Sequence, residues 1–203
     1  MNRRATLHVL LLVVALLLPV PALAGAQQYE PLADSVRTAL SAAIGDRPPP
    51  ALMFRRQDDA QRWIGEMSRR LAKQIPDRSV RLQLLKSVQY EATRAGLDPQ
   101  LVLGVIDVES GFRKYAVSAA GARGYMQVMP FWVALIGRPR DNLFHLRINL
   151  RYGCVILRHY LDLEKGDYFR ALGRYNGSLG LADYPNRVIA AWKNRWHYDG
   201  PTN

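Results

Sequence analysis

Residues 97–132 read L-D-P-Q-L-V-L-G-V-I-D-V-E-S-G-F-R-K-Y-A-V-S-A-A-G-A-R-G-Y-M-Q-V-M-P-F-W. Asp98-Pro99 supplies a helix N-cap with proline at the first helical position, and Leu101, Val102, Val105, Ile106 and Val108 continue as an apolar helix. Ser110-Gly111-Phe112 must end that helix, which leaves Glu109 at its C-terminal end. That is an unusual place for a carboxylate. Desolvation and the negative end of the helix dipole both disfavour the charged form, so the pKa of Glu109 is expected to be raised, as suits a general acid near neutral pH. The alternative is an ordinary exposed glutamate at a helix end. Asp107, two residues earlier, points to roughly the opposite side of the helix and is not expected to pair with Glu109. The loop that follows is rich in small residues and carries Ser118, Gly121, Gly124 and Gln127. Such a loop permits close backbone approach to a ligand and leaves hydroxyl and amide groups free.

Outward from this segment the apolar residues keep a helical period. Ala60, Trp63, Ile64, Met67 and Leu71 share one face of a helix that stops before Pro76. Val80, Leu84, Val88, Ala92 and Ala95 predict a second helix over 79–95, closed by Gly96. Ile148, Tyr152, Val155, Leu157 and Tyr160 predict another over 146–163, and Asp167 and Asp183-Pro185 cap two more, over 168–176 and 185–197. Trp192 and Trp196, one turn apart on the last, read as core aromatics rather than sugar-stacking platforms, whereas Tyr184 and Trp132 are undecided. No window alternates strictly and no internal repeat is visible, so the chain reads as an all-α domain starting near residue 55. Residues 25–57 carry little pattern beyond Arg47-Pro48-Pro49-Pro50 and read as a linker or a short helical arm.

Composition bounds the function. The 203 residues hold 28 Lys plus Arg against 17 Asp plus Glu, a net charge of +11 that calls for an anionic partner. One cysteine, Cys154, excludes an intramolecular disulfide and a thiolate zinc finger, and it reads as a small buried residue of the 146–163 helix. Residues 1–24 have Arg3 and Arg4, an apolar run from Leu7 to Leu18 and a small-residue ending at Ala22-Leu23-Ala24, the layout of a cleaved signal peptide. The expectation is an exported protein of the periplasm or cell wall, with no stable membrane span after cleavage. Export demotes nucleic acid as a partner and favours cell-wall polymers. There is no phosphate-binding loop, no dinucleotide fingerprint and no H-E-x-x-H, and the four histidines are scattered, so neither a metal nor a cofactor is expected.

The runs E-S-G-F at 109–112, A-V-S-A-A-G-A-R-G at 116–124 and Y-M-Q-V-M-P at 125–130 resemble the catalytic domain of the soluble lytic transglycosylases, relatives of goose-type lysozyme. The likeness continues in N-L-R-Y-G at 149–153, R-Y-N-G-S-L-G at 174–180 and Y-P-N-R-V at 184–188. It departs at Tyr125, Arg174 and Gly177-Ser178, where the family usually has Leu, Ala and Ala-Gly. The resemblance implies a lysozyme-like helical domain with a substrate groove. In its terms 58–78 is an N-terminal helix of the domain, 79–197 the catalytic domain and 198–203 a tail.

It also implies a chemistry. Glycoside hydrolases usually use two carboxylates, and this sequence offers one well-placed candidate. In the transglycosylase mechanism Glu109 protonates the oxygen of the β-1,4 bond between N-acetylmuramic acid and N-acetylglucosamine, then accepts the proton of the muramyl C6 hydroxyl as that hydroxyl closes on C1. Carried over by motif, Ser118 and Gln127 hydrogen-bond the sugar and Met126 and Met129 line the groove. Tyr175 reaches either the Glu109 carboxyl or the muramyl acetamido group, and Asn176 ties down backbone in preference to touching sugar. The partner is the glycan strand of peptidoglycan, with a cell-envelope machine as a further candidate. A muramidase would need a second carboxylate, for which Asp162, Glu164 and Asp183 are available, and a non-catalytic wall-binding scaffold is the alternative of a different class.

Overall fold

The computed structural model describes residues 27–45 and 57–200 and is all-α, as the apolar periodicity predicts. The signal-peptide reading of 1–24 and the tail at 201–203 lie outside the described residues. Among the described residues eight α-helices follow in order: α1 (Asp34–Ile44), α2 (Gln57–Arg70), α3 (Arg78–Arg94), α4 (Pro99–Ser110), α5 (Phe131–Ile136), α6 (Leu146–Leu163), α7 (Tyr168–Asn176) and α8 (Asp183–Ala190). A 3-10 turn, Leu71–Lys73, extends α2, and a π-helical turn, Ala191–Arg195, extends α8.

The central helix is α4. The Asp98 carboxylate accepts from the Gln100 N–H at 2.8 Å, Pro99 fills the first turn, and Gly111 closes the helix in the left-handed region at φ 56°. Every residue from Pro99 to Ile106 is buried, along with Glu109 and Ser110. Around it pack α3, α8 and the π-helical turn, while α6 bridges α3 and α7. Trp192 and Trp196 are anchored to α4 as core residues: the Trp192 Nε1 donates to Asp98 at 2.9 Å and the Trp196 Nε1 to Asp107 at 3.0 Å. Asp107 therefore faces the π-helical turn, with Arg195 as a second partner at 2.5 Å, away from the direction of Glu109. Trp132 is 2% exposed and meets Tyr160 edge to face, so it too belongs to the core.

The stretch 25–57, read from sequence as a linker or arm, contains the helix α1. Its Leu40 and Ile44 enter the core, and its C-terminus is tied down by Arg94, whose guanidinium donates to the carbonyls of Ala43 and Gly45, each at 2.8 Å. Arg94 is in turn held by the fully buried Glu91 at 3.0 Å, which also accepts from Arg151 at 3.0 Å. One carboxylate thus links α1, α3 and α6. Cys154 is buried in α6 among apolar residues, and burial pushes its thiol far up from its ordinary pKa. Among the described residues no helix is long and apolar enough to cross a membrane, and no His/Cys/Asp/Glu group could hold a metal.

Candidate active site

Glu109 sits on the last turn of α4 and is 5% exposed. Its Oε1 accepts from the Tyr184 hydroxyl at 2.7 Å, whereas Oε2 is buried without a hydrogen-bond partner. Desolvation pushes its pKa from 4.5 up to about 8; the Tyr184 hydrogen bond and the charge of Arg187 pull the other way and do not cancel it. Among the described residues, the groups that set this balance are Tyr184 and Arg187, neither of them a carboxyl. The result is a buried acid, protonated at neutral pH, with one bare oxygen. Arg187 stands one turn after Tyr184 on α8 and is half exposed. A cleft of about 540 Å³ between α4 and α8, lined by Asp107, Val108, Arg187, Ala190, Asn194 and Arg195, runs beside this end of α4. A larger cavity of about 650 Å³, between α1 and α6, has no residue of the site in its wall.

The loop from Arg113 to Pro130 is folded on itself by two antiparallel bridges, Val117 with Arg123 and Arg123 with Val128. It is joined to α4 by Ser110, whose hydroxyl donates to the Tyr125 carbonyl at 2.8 Å. From α6, Asn149 clamps it: Oδ1 accepts from the Met126 N–H at 2.8 Å, and Nδ2 donates to the carbonyls of Arg123 at 2.8 Å and Leu143 at 2.9 Å. Gly124 makes this clamp sterically feasible. It lies at φ +76°, and a Cβ there would sit 2.5 Å from the Asn149 Nδ2.

The residues singled out from sequence fall into two groups. Ser118 and Gln127 shape the loop: the Ser118 Oγ accepts from the Ala122 N–H at 3.1 Å, and the Gln127 amide donates to the carbonyls of Ala116 at 3.2 Å and Gly124 at 2.9 Å. Gln127 is 2% exposed and holds φ at 47°, an uncommon backbone state for a residue with a side chain. Met129 is half-buried at the edge of the core. Met126 departs from the expectation of lining a groove: it is fully buried, and its sulfur is packed against Gly153 of α6.

Tyr175 also differs from the expected contact with the carboxyl. Its hydroxyl donates to the Met126 carbonyl at 2.7 Å, and the hydroxyl on Glu109 belongs to Tyr184. The two tyrosines are both buried, and both are pushed well above the usual phenol pKa, first by desolvation and then by the nearness of Glu109. Asn176 is 3% exposed with its Nδ2 unpartnered. Sequence reasoning left Tyr184 undecided because its contact with Glu109 spans 75 positions and depends on how α8 docks on α4.

The carboxylates considered for a second catalytic role are otherwise engaged. Asp162 pairs with Arg158, Glu164 with Arg170 and Arg174, and Asp183 with Arg187.

The family model for the Transglycosylase SLT domain matches residues 86–188. A transglycosylase of Enterobacteria phage PRD1 is 32% identical over 115 residues, covering 53% of this chain and 42% of the phage protein. Membrane-bound lytic murein transglycosylase C of Histophilus somni strain 2336 is 45% identical over 116 residues, covering 47% of this chain and 31% of that protein. Among solved structures, an inactive mutant of lytic transglycosylase Slt from Pseudomonas aeruginosa aligns at 26% identity and a TM-score of 0.39, over 53% of this chain and 18% of that one. This chain therefore spans less than half the length of each of these relatives. With half of its residues matched by the family model, the chain belongs to the transglycosylase SLT domain family.

Proposed function

We propose that the chain is a peptidoglycan lytic transglycosylase, exported to the periplasm, with Glu109 as its single catalytic acid and base. The observation that carries this reading is the state of that carboxyl: buried, protonated near neutrality, held through one oxygen by Tyr184, and with no second carboxylate contributing to its electrostatics. A hydrolase of the ordinary two-carboxylate kind needs a second carboxylate, and among the described residues the three considered for it, Asp162, Glu164 and Asp183, are paired with arginines. A transglycosylase needs none, because the substrate supplies the nucleophile.

In the proposed reaction the Glu109 carboxyl gives its proton to the oxygen of the β-1,4 bond as the bond from that oxygen to the muramyl C1 breaks. The C6 hydroxyl of the same muramyl unit then bonds to C1 and returns its proton to Glu109. The products are a free N-acetylglucosamine 4-hydroxyl and a 1,6-anhydro-muramyl end, with no water consumed. Tyr184 orients the carboxyl in both protonation states, since a phenol donates to Oε1 in either. Ser118 and Gln127 support the reaction by fixing the loop beside the groove, with Met129 at its edge and Met126 packed beneath the loop, and the buried, unpartnered Asn176 amide is available to substrate. The basic net charge of +11 supports residence on an anionic wall. A cell-envelope machine is the proposed further partner.

The test is digestion of purified sacculi followed by mass spectrometry of the muropeptides. Products one water lighter than those of a muramidase are expected, and reducing ends in their place overturn the assignment. Glu109→Gln is expected to abolish cleavage while leaving folding and wall binding intact.

A further inference from the structure

The segment just before α1 lies across the loops of the candidate site. Gln27 is 3% exposed, and its Oε1 accepts from the Met129 N–H at 3.2 Å. Its Nε2 is buried without a hydrogen-bond partner, and the Tyr175 hydroxyl is influenced both by Gln27 and by Glu109. The next three residues continue onto the same surface. The Gln28 amide donates to the Gly177 carbonyl at 3.4 Å, the Tyr29 ring meets Phe131 edge to face at 5.7 Å, and Glu30 pairs with Arg174 at 3.5 Å. Four consecutive residues thus touch the Met129–Phe131 loop on one side and the Arg174–Gly177 turn on the other.

The character of these contacts is uneven. Tyr29 is 60% exposed, the Gln28 and Glu30 contacts are long and at the surface, and only Gln27 is sealed. A surface pair such as Glu30 with Arg174 contributes little and is screened by salt. One buried polar side chain therefore holds the segment in place, and the rest is loosely attached. That side chain is a primary carboxamide, which shares with the secondary acetamide on each sugar of peptidoglycan a planar amide with one carbonyl acceptor and an N–H donor side: here the carbonyl takes a backbone N–H and the N–H side is buried without a partner.

We propose that residues 27–30 form an autoinhibitory strap, in which the Gln27 carboxamide occupies the place of a substrate acetamido group and must leave before a glycan strand can bind. This rests on the proposed action on peptidoglycan and adds a regulation of that same site. A strap closed most of the time lowers apparent affinity by the fraction of open molecules, without altering the intrinsic affinity of the groove.

The experiment uses the full chain with Glu109→Gln, which allows binding without turnover, and compares it with the same chain carrying Gln27→Ala and Tyr29→Ala. Calorimetry with an N-acetylglucosamine hexasaccharide is expected to give a Kd about tenfold lower for the loosened strap. A second readout follows the strap itself: saturating hexasaccharide is expected to make the 27–30 segment of the intact strap susceptible to a protease that spares it in the free protein. An unchanged Kd means that the strap is scaffold, and a weaker one means that it forms part of the binding groove; either overturns the proposal. The enzyme reading fails separately, if the chain with native Glu109 leaves sacculi uncut while the tenfold difference in binding persists. Absence of binding by both variants overturns both. Gln27→Ala alone, checked by circular dichroism, covers the case in which the double variant does not fold.

Discussion

Replacing Glu109 by Gln does more than remove a proton donor; it removes a pH-dependent burden on the fold. In the unfolded chain the carboxyl ionises near 4.5, whereas in the folded protein burial delays ionisation to about 8. Below 4.5 both states carry the proton. Between the two values the folded state binds a proton that the unfolded state has released, so stability declines as pH rises, and above about 8 the loss is complete. At about 1.4 kcal/mol per pH unit the full window is worth about 5 kcal/mol, of which about 3 is already lost at pH 7. Gln cannot ionise, and its Oε1 can still accept from Tyr184. Its Nε2 replaces an oxygen that has no partner, a fixed cost of about 1–3 kcal/mol that does not vary with pH. Urea unfolding of both proteins at pH 4.5, 7 and 9 isolates the effect, since every other titrating group is shared. The variant is expected to be the less stable protein at pH 4.5 and to gain on the wild type by about 5 kcal/mol by pH 9. A stability difference that stays flat across this range refutes the claim that Glu109 is held as a buried acid.

Three further outcomes test other parts of the site. Tyr184→Phe removes the donor that lowers the Glu109 pKa, so the pH above which cleavage falls should move up from about 8 by about one unit, with an unmoved limb counting against the contact. Asn149→Ala strips three hydrogen bonds from buried backbone groups and should cost about 3–5 kcal/mol in denaturant unfolding; a loss under about 1 kcal/mol shows that the loop does not depend on the clamp. Cys154 should resist a thiol-specific disulfide reagent in the native protein and react fully in urea, because burial keeps its thiol protonated; fast native labelling contradicts that burial.

The features legible in the sequence are those whose causes are local. Asp98-Pro99 and Gly111 bound α4 with their own backbone chemistry, so both its limits and the place of Glu109 can be read without knowing any neighbour. The 146–163 helix is likewise found where its apolar period puts it. Helix α1 was legible only as one of two alternatives, linker or helical arm, for the opposite reason. Its N-cap is Ala33, with no side-chain hydrogen bond, and only Leu40 and Ile44 are buried, so nothing in the segment signals a helix until Arg94 and α6 are in place. Six-residue α5 is too short to show a period within F-W-V-A-L-I. Met126 was read as groove-lining because its place in the motif was carried over from the resemblance; a missing side chain at Gly153 opens the space beneath it, and that pairing is invisible along the chain.

The choice of partner for Glu109 has a physical logic that extends to the whole site. A carboxyl that must be an acid at neutral pH has to be fixed in direction without being ionised by whatever fixes it. A buried arginine would orient it well, but the opposite charge would pull its pKa down by about 1–3 units and convert it to a carboxylate. A phenol orients it through one neutral hydrogen bond, and a phenol pushed well above its usual pKa by the same burial cannot itself compete for the proton at neutral pH. Arg187, the cation that bears on the site among the described residues, is half exposed and already shared with Asp183 at 3.6 Å, so water screens most of its field. Desolvation wins for that reason. Protonated Glu109 is thus maintained by desolvation in its buried place at the end of α4, against the weaker downward pull of Tyr184 and Arg187, and any change that admits water to Oε2 should lower its pKa before it disturbs the fold.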